Sequence, residues 1–257
     1  LSDLRAKLIF DLVIISTNSE ERYDLFLKLV KYNDIKNIIF EKFVFYKKEQ
    51  FKKTLKILHK KKIKAWVNCL RREINIFKFL KNKITGQFKL IYQYSEWGLG
   101  CNTIHFLDLF GFLLKTNKIK VSHSNLDNKI YKSKREGYLE FKGSLEFTFN
   151  NSILSINDNK IFKKKIFKII TKNKIFSFNK RENILTEKNL NNNYIKKYRC
   201  EEPKVSLVSF KTINKIIKNK KTNLPSLKES FFYHNLLIDT FSKHLKKNNM
   251  KKNLKIT

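Results

Sequence analysis

Three stretches decide the fold class: Leu8-Ile-Phe-Asp-Leu-Val-Ile-Ile-Ser-Thr17, Asn37-Ile-Ile-Phe-Glu-Lys42 and Ala65-Trp-Val-Asn-Cys-Leu70. Each is a short apolar run that ends in small, polar or charged residues. Runs of this kind read as strands buried on both faces, as in parallel sheets. Helical patterns lie between them. Asn18, Ser19 and Glu20 open the first, with Tyr23, Phe26, Leu27 and Val30 at helical spacing. Lys47 to Lys62 forms the second, with Phe51, Leu55, Ile57 and Leu58 on its inner side, and Arg71 to Asn82 the third. The order βαβαβα at short spacing predicts a parallel sheet with right-handed crossovers.

Further along, the pattern changes. Gln87 to Trp97 reads as a strand, and Gly98 to Leu114 as a helix that is apolar almost all round. From Tyr138 onward apolar and polar residues alternate, at Leu139/Phe141, at Leu145/Phe147/Phe149 and more loosely at Ile175/Phe176/Phe178. Asn150-Asn151 and Asp158-Asn159 mark turns. This predicts a largely antiparallel sheet with one wet face over 138–215. Pro225 precedes Ser226-Leu-Lys-Glu229, a capping box. Leu227, Phe231, His234, Ile238, Phe241 and Leu245 then form one stripe of an amphipathic helix. Lys246 onward reads as a basic, frayed tail. The expected fold class is therefore α/β, a partial Rossmann unit with a parallel sheet, followed by an α+β domain with a mostly antiparallel open sheet. The expected divisions are 1–84, 85–245 and a tail at 246–257.

The chain has 257 residues, 42% of them hydrophobic and 14% aromatic, which excludes wholesale disorder. Its longest apolar runs, such as Leu12 to Ile15 and Phe110 to Leu114, fall far short of the ~18 residues of a membrane span. The opening Leu-Ser-Asp-Leu-Arg-Ala-Lys has no basic region followed by an apolar run, so no secretory leader is expected. Three widely spaced cysteines, Cys69, Cys101 and Cys200, fit a reducing, cytoplasmic setting rather than a disulfide framework. Without C-x-x-C or H-x-x-x-H, no metal site is expected. The net charge of +34, from 56 Lys and Arg against 22 acids, points toward nucleic acid on its own. However, Lys, Asn, Ile and Phe share A/T-rich codons, whereas Gly (6) and Pro (2) need G or C. The lysines are also scattered over every segment. Base composition acting on solvated faces therefore explains the charge better than a nucleic-acid partner.

Several residues have chemical potential. Glu41-Lys42 ends the second strand, where open α/β sheets border their ligand crevice. Desolvation there tunes a lysine toward acid/base work, although an isolated Lys in so basic a chain reads equally as a surface residue. Cys101, His105 and Asp108 share the apolar helix, with Cys101 and His105 one turn apart. A polar group on such a helix costs desolvation unless it is satisfied internally or borders a cavity. Arg71-Arg72 follows the third strand and could hold an anion or simply be solvated. His234 reads as packing. Gly98-Leu-Gly100-Cys-Asn-Thr103 lacks a third glycine and a later acid. It therefore reads as a close backbone approach at a helix start rather than a pyrophosphate loop.

Taken in order, Asp11-Leu-Val-Ile-Ile-Ser-Thr17, Glu41-Lys42, Val67-Asn-Cys-Leu-Arg-Arg72, Trp97-Gly-Leu-Gly-Cys-Asn-Thr-Ile-His-Phe-Leu-Asp108 and Leu224-Pro-Ser-Leu-Lys-Glu-Ser230 resemble the glucose-fructose oxidoreductase / inositol dehydrogenase / MocA-like family. The resemblance spans nearly the whole chain, is strongest from residue 8 to 114, and is faint in the Lys/Asn-rich strands from 120 to 220. It implies an NAD- or NADP-binding Rossmann domain followed by a sheet domain that completes a sugar site. It also implies hydride transfer at a sugar carbinol, possible work on surface-polysaccharide sugars, and a homo-oligomer. Lys42 matches the lysine of the family's Glu-Lys-Pro, and His105 the histidine of its Asp-x-x-x-His. On that basis Lys42 and His105 would be catalytic. Thr17, Asn18, Glu41 and Lys42 would line the cofactor, and Arg71, Arg72, Cys101, Asn102 and Asp108 the substrate. Two departures stand out: Phe43 replaces the proline, and Cys101 the aspartate. Members of the family also carry a Gly-rich βαβ half ahead of the Asp11 segment, roughly 50 to 60 residues long. A truncated chain is therefore expected. An inactive remnant or sugar-binding module is the alternative reading, and a basic nucleic-acid-binding protein the third.

Overall fold

A computed structural model describes residues 8–179, 181–201, 203–249 and 254–256. In chain order the first elements are β1 (Ile9–Phe10), β2 (Val13–Ile15), α1 (Arg22–Tyr32), β3 (Asp34–Ile35), β4 (Asn37–Phe40), α2 (Lys48–Lys60) and β5 (Lys64–Val67). A short 3-10 turn at Leu70–Glu73 leads to α3 (Asn75–Lys83), β6 (Phe88–Tyr94) and α4 (Leu99–Leu114). Nine strands follow: β7 (Lys120–Leu126), β8 (Tyr131–Lys132), β9 (Leu139–Glu140), β10 (Gly143–Phe149), β11 (Ser152–Asp158), β12 (Ile166–Thr171), β13 (Lys174–Asn179), β14 (Ile184–Asn189) and β15 (Ile195–Arg199). Helices α5 (Val205–Ile217) and α6 (Leu227–Lys247) come last.

The chain forms two compact units, 1–70 with 206–257, and 71–205. Packing thus groups the residues differently from the expected divisions at 84/85 and 245/246. Helix α6 packs on α2 and β5, which draws the late helices into the first unit.

In the first unit all strand pairs are parallel. β2, β4 and β5 form a sheet in that order, with Val13 opposite Ile38 and Ile38 opposite Ala65, and β1 pairs with β3. The first apolar run is split into β1 and β2, and between them the Asp11 carbonyl accepts from the Asn37 side-chain amide at 2.8 Å. Ile39, Ile216 and Leu224 form a buried cluster against this sheet, with Trp66 and Ile213 alongside. Ser226 caps α6: its Oγ accepts from the Glu229 N–H at 3.1 Å.

Two expectations need correction here. The predicted sheet does not reach residue 215, because 205–217 is helix α5. Its buried Val208, Thr212 and Ile216 recur every four residues, a helical period. The end of the chain is not simply a frayed tail either. Leu254 and Ile256 are buried, Ser19 Oγ donates to the Ile256 carbonyl at 2.5 Å, and Lys255 pairs with Glu20 at 2.5 Å.

The second unit is built on an eight-stranded sheet of order β15-β14-β13-β12-β6-β11-β10-β7, antiparallel except between β6 and β11. β7 lies ahead of the 138–215 span expected to form this sheet. Leu90, Tyr92, Leu145, Leu154 and Ile156 point to the buried face, where α4 packs on β11 and Phe106 stacks on Tyr92 at 4.0 Å. This burial explains why α4 is apolar nearly all round. The architecture is thus a Rossmann-like parallel unit and a mostly antiparallel sheet unit, as the strand patterns predict. No helix among the described residues is long and apolar enough to cross a membrane.

Candidate functional site

At the carboxyl ends of β2, β4 and β5, the residues are Ser16 to Asn18, Glu41-Lys42 and Asn68-Cys69. These ends are tied together. The Glu41 N–H donates to the Ile15 carbonyl at 3.0 Å, and the Asn68 N–H to the Phe40 carbonyl at 2.8 Å. The Asn68 side-chain amide donates to Glu41 Oε2 at 2.7 Å, which fixes the carboxylate at the sheet edge. Thr17, Asn18, Glu41 and Lys42, all expected at this end, are brought together here and are all half-buried. Thr17 Oγ1 is shielded from solvent, and no group among the described residues hydrogen-bonds to it.

Lys42 is set by what surrounds it in sequence. Phe40, Phe43, Val44 and Phe45 are wholly buried, so Lys42 is a half-exposed residue between buried anchors. The Lys42–Phe43 peptide is cis. Phe45 meets Phe40 at 5.7 Å and Phe51 at 5.0 Å, while Phe43 meets the His234 ring at 4.6 Å. Polar contacts complete the clamp. The buried Arg22 guanidinium donates to the carbonyls of Thr17, Phe43 and Val44, the last at 3.0 Å. His234 Nε2 accepts from the Val44 N–H at 3.1 Å, and Nδ1 lies 2.8 Å from the Ser230 carbonyl. An acceptor Nε2 requires the proton on Nδ1, so the ring is neutral. Burial depresses the His234 pKa to about 3. The expectation that His234 packs rather than catalyses fits this geometry.

In the second unit the start of α4 is held by carboxylates. Asp158 accepts from the N–H groups of Glu96 (2.6 Å) and Gly98 (3.1 Å). Glu140 accepts from the N–H groups of Gly100 and Phe141, the latter at 2.8 Å. Burial pushes both carboxyls upward, and the N–H donors oppose that rise. Gly98 has φ 77°, a left-handed conformation suited to glycine. A Cβ on Gly100 would lie 2.5 Å from Glu140 Oε1. The Gly-Leu-Gly segment is therefore a close backbone approach, and a carboxylate of the chain itself fills the helix end.

The remaining candidates divide. Asn102 donates to the Trp97 carbonyl at 2.6 Å and so caps the turn. Cys101 Sγ lies 3.5 Å from the Gly98 carbonyl. His105 is half-buried one turn later, with Nδ1 shielded from solvent. Arg71 lies over the Phe106 ring at 4.1 Å. Arg72 and Asp108 are committed to each other in a buried bidentate pair, at 2.8 Å (Nε–Oδ2) and 2.7 Å (Nη2–Oδ1). The pair ties α4 to the 3-10 turn. Sequence reasoning missed Arg22, Asn68, Glu140 and Asp158. Only Asn68 carried a local signal, its place at the end of the third strand.

A dinucleotide fits this chain only in part. The shielded Thr17 Oγ1 and the Glu41–Lys42 edge suit a polar ligand at the carboxyl ends of the strands. The helix start at 98–100 does not suit a pyrophosphate, because Glu140 already takes its N–H groups.

No family model and no curated protein matches the sequence. Solved structures do resemble the fold. A dehydrogenase (MviM) from Clostridium difficile aligns at 17% identity over 93% of this chain and 80% of its own, with a TM-score of 0.67. UDP-N-acetylglucosamine 3-dehydrogenase GnnA from Acidithiobacillus ferrooxidans aligns at 10% identity over 94% and 80%, with a TM-score of 0.66. A super-repressor mutant of Gal80p from Saccharomyces cerevisiae aligns at 11% identity over 95% and 81%, with a TM-score of 0.67. At these identities the chain shares the fold of two dehydrogenases and a repressor.

Proposed function

We propose that the chain is an NAD- or NADP-dependent oxidoreductase acting on a carbinol of a sugar or sugar derivative. The observation that carries this reading is Lys42, held half-exposed at the carboxyl end of β4 between buried anchors and beside Glu41. The fold likeness to dehydrogenases, one of them acting by its name on a sugar nucleotide, supports it. A bound nicotinamide would supply the hydride chemistry. Lys42 Nζ would take the hydroxyl proton as the alcohol carbon gives up hydride, and return it in the reverse direction. Thr17, Asn18 and Glu41 would line the cofactor. His105 is proposed as a further substrate-facing group and needs its own substitution. A homo-oligomer and a cytoplasmic setting belong to the same proposal, the latter supported by three cysteines that form no disulfide.

The carboxylate filling the α4 start favours a second reading, a sugar-binding module without redox activity. Titration with each dinucleotide, followed by turnover assays on a panel of sugars and sugar nucleotides, separates the two. The first reading expects dinucleotide binding and turnover. Lys42→Met should lower kcat at least 100-fold, within the roughly 10²–10⁴ range of acid/base catalysis, and leave dinucleotide affinity within a few fold. Sugar binding with no dinucleotide binding would establish the module instead.

A further inference from the structure

Helix α2 ends in a turn that folds the chain back toward its own apolar face. Lys62 is left-handed (φ 55°), its N–H donates to the His59 carbonyl at 3.1 Å, and the Ile63 N–H donates to the Leu58 carbonyl at 2.9 Å. Ile63 then leads into β5. The edge of β5 away from β4 is taken by the start of α6: Trp66 bridges to Ser226, and the Val67 N–H donates to the Pro225 carbonyl at 3.0 Å. These walls enclose a cavity of about 480 Å³. Leu55, Leu58, Ile63, Ala65 and Leu227 line its apolar part, and Lys56, His59 and Lys228 its exposed rim. It lies at the amino end of β5, whereas Glu41 and Lys42 stand at the carboxyl end of β4.

Leu58, Ile63 and Leu227 are buried, but Leu55 and Ala65 are only half-buried and leave apolar surface in water. No acid lines the cavity, and none occurs in the sequence between Glu49 and Glu73. Helix α2 makes its ion pair at the other end, where Lys48 meets Asp239 at 2.5 Å. Among the described residues, Lys56, His59 and Lys228 are in no ion pair. Base composition explains how many lysines the chain has. Here, however, two lysines and a histidine edge an apolar cavity that holds no carboxylate, so an anion with an apolar body complements both parts. The volume is that of a small-molecule site. We infer that this cavity binds a free, single-chain anionic amphiphile: its alkyl tail lies on Leu55, Ile63 and Leu227, and its carboxylate meets Lys56 and Lys228.

Calorimetric titration of the whole chain with octanoate, butyrate and 1-octanol tests this. Octanoate should bind one to one. Butyrate should bind at least about tenfold more weakly, since each fully buried methylene is worth roughly fourfold. Lys56→Glu with Lys228→Glu, both at exposed positions, should weaken octanoate by about fivefold or more and leave 1-octanol unchanged. Lys163→Glu with Lys164→Glu makes the same change in net charge on an exposed turn of the other unit and should leave octanoate unchanged. Leu55→Gln should weaken octanoate and 1-octanol alike. The inference is overturned by absence of saturable octanoate binding, by several octanoates per chain, or by equal loss in the two double lysine variants, which would show diffuse attraction to a basic chain. Binding to phosphatidylglycerol vesicles without binding of octanoate would make the patch a membrane contact and overturn it too. No dinucleotide or sugar enters the measurement, so its failure is separate from failure of the oxidoreductase reading.

Discussion

Two buried arginines, one in each unit, bind different kinds of group. Arg22, in the first unit, is 1% exposed and gives its protons to the backbone carbonyls of Thr17, Phe43 and Val44. Arg72, in the second, is 4% exposed and meets an ionised partner, Asp108, in a bidentate pair. Arg72 forms a charge pair in which both partners are side chains. Arg22 donates to backbone carbonyls, and two of them, those of Phe43 and Val44, belong to the segment that carries Lys42. The difference teaches where each charge acts. Arg72 fixes α4 against the 3-10 turn, whereas Arg22 shapes the segment where the candidate chemistry sits.

Deleting one side of each set gives the largest effects. Arg72→Met removes the bidentate partner of buried Asp108 and should cost about 3–5 kcal/mol in urea unfolding. Arg72→Met with Asp108→Leu should recover most of that loss, because both members of the buried pair are then replaced. A double variant as unstable as the single would break the comparison. Arg22→Met should cost about 3 kcal/mol, because it orphans the buried backbone carbonyls of Phe43 and Val44. Hydrogen exchange should show the Val44 amide losing protection in that variant while β10 and β11 keep theirs.

The next effect sharpens the contrast through pH. His234 completes the Arg22 clamp and is neutral, with its folded pKa depressed to about 3 from 6.5. The unfolded chain therefore binds the extra proton between these values, and stability is lost as pH falls through that window. From pH 7 to 5 the loss should be about 2 kcal/mol. His234→Gln should flatten this slope, and an unchanged slope would show that another group sets it. The smallest effect is local. Ser226→Ala removes the cap on α6 and should cost about 1 kcal/mol without altering the pH slope.

The sequence revealed what depends on local pattern. Periodicity gave the parallel strands, α4 and α6, and the strand ends gave Glu41 and Lys42. It did not reveal Arg22, because one arginine near a helix start looks like any solvated cation in a chain so rich in them, and its partners are carbonyls that every residue possesses. Glu140 was hidden for a related reason: it sits in a two-residue strand, and the Gly100 N–H it accepts from lies forty residues earlier. Asp108 was noticed, yet its partnership with Arg72 is a tertiary fact that no spacing encodes. Helix α5 was missed because its apolar residues are broken by Ser, Thr and Lys, which blur a period of four.

The discontinuous first unit has a consequence for synthesis. The sheet of β2, β4 and β5 is translated early, but Ile216, Leu224 and α6, which cover it, come after the 71–205 stretch. At ~5–20 residues per second the ribosome needs roughly 7–30 s to make that stretch. During this interval Ile39 and the Phe43–Phe45 segment lack their covering residues, while the 71–205 sheet has all of its strands in one continuous piece. The sheet unit should therefore mature first on the ribosome. The unit bearing Lys42 should be the client that a nascent-chain chaperone holds, released only when residues 227–256 emerge to seat His234 and bury Ile256.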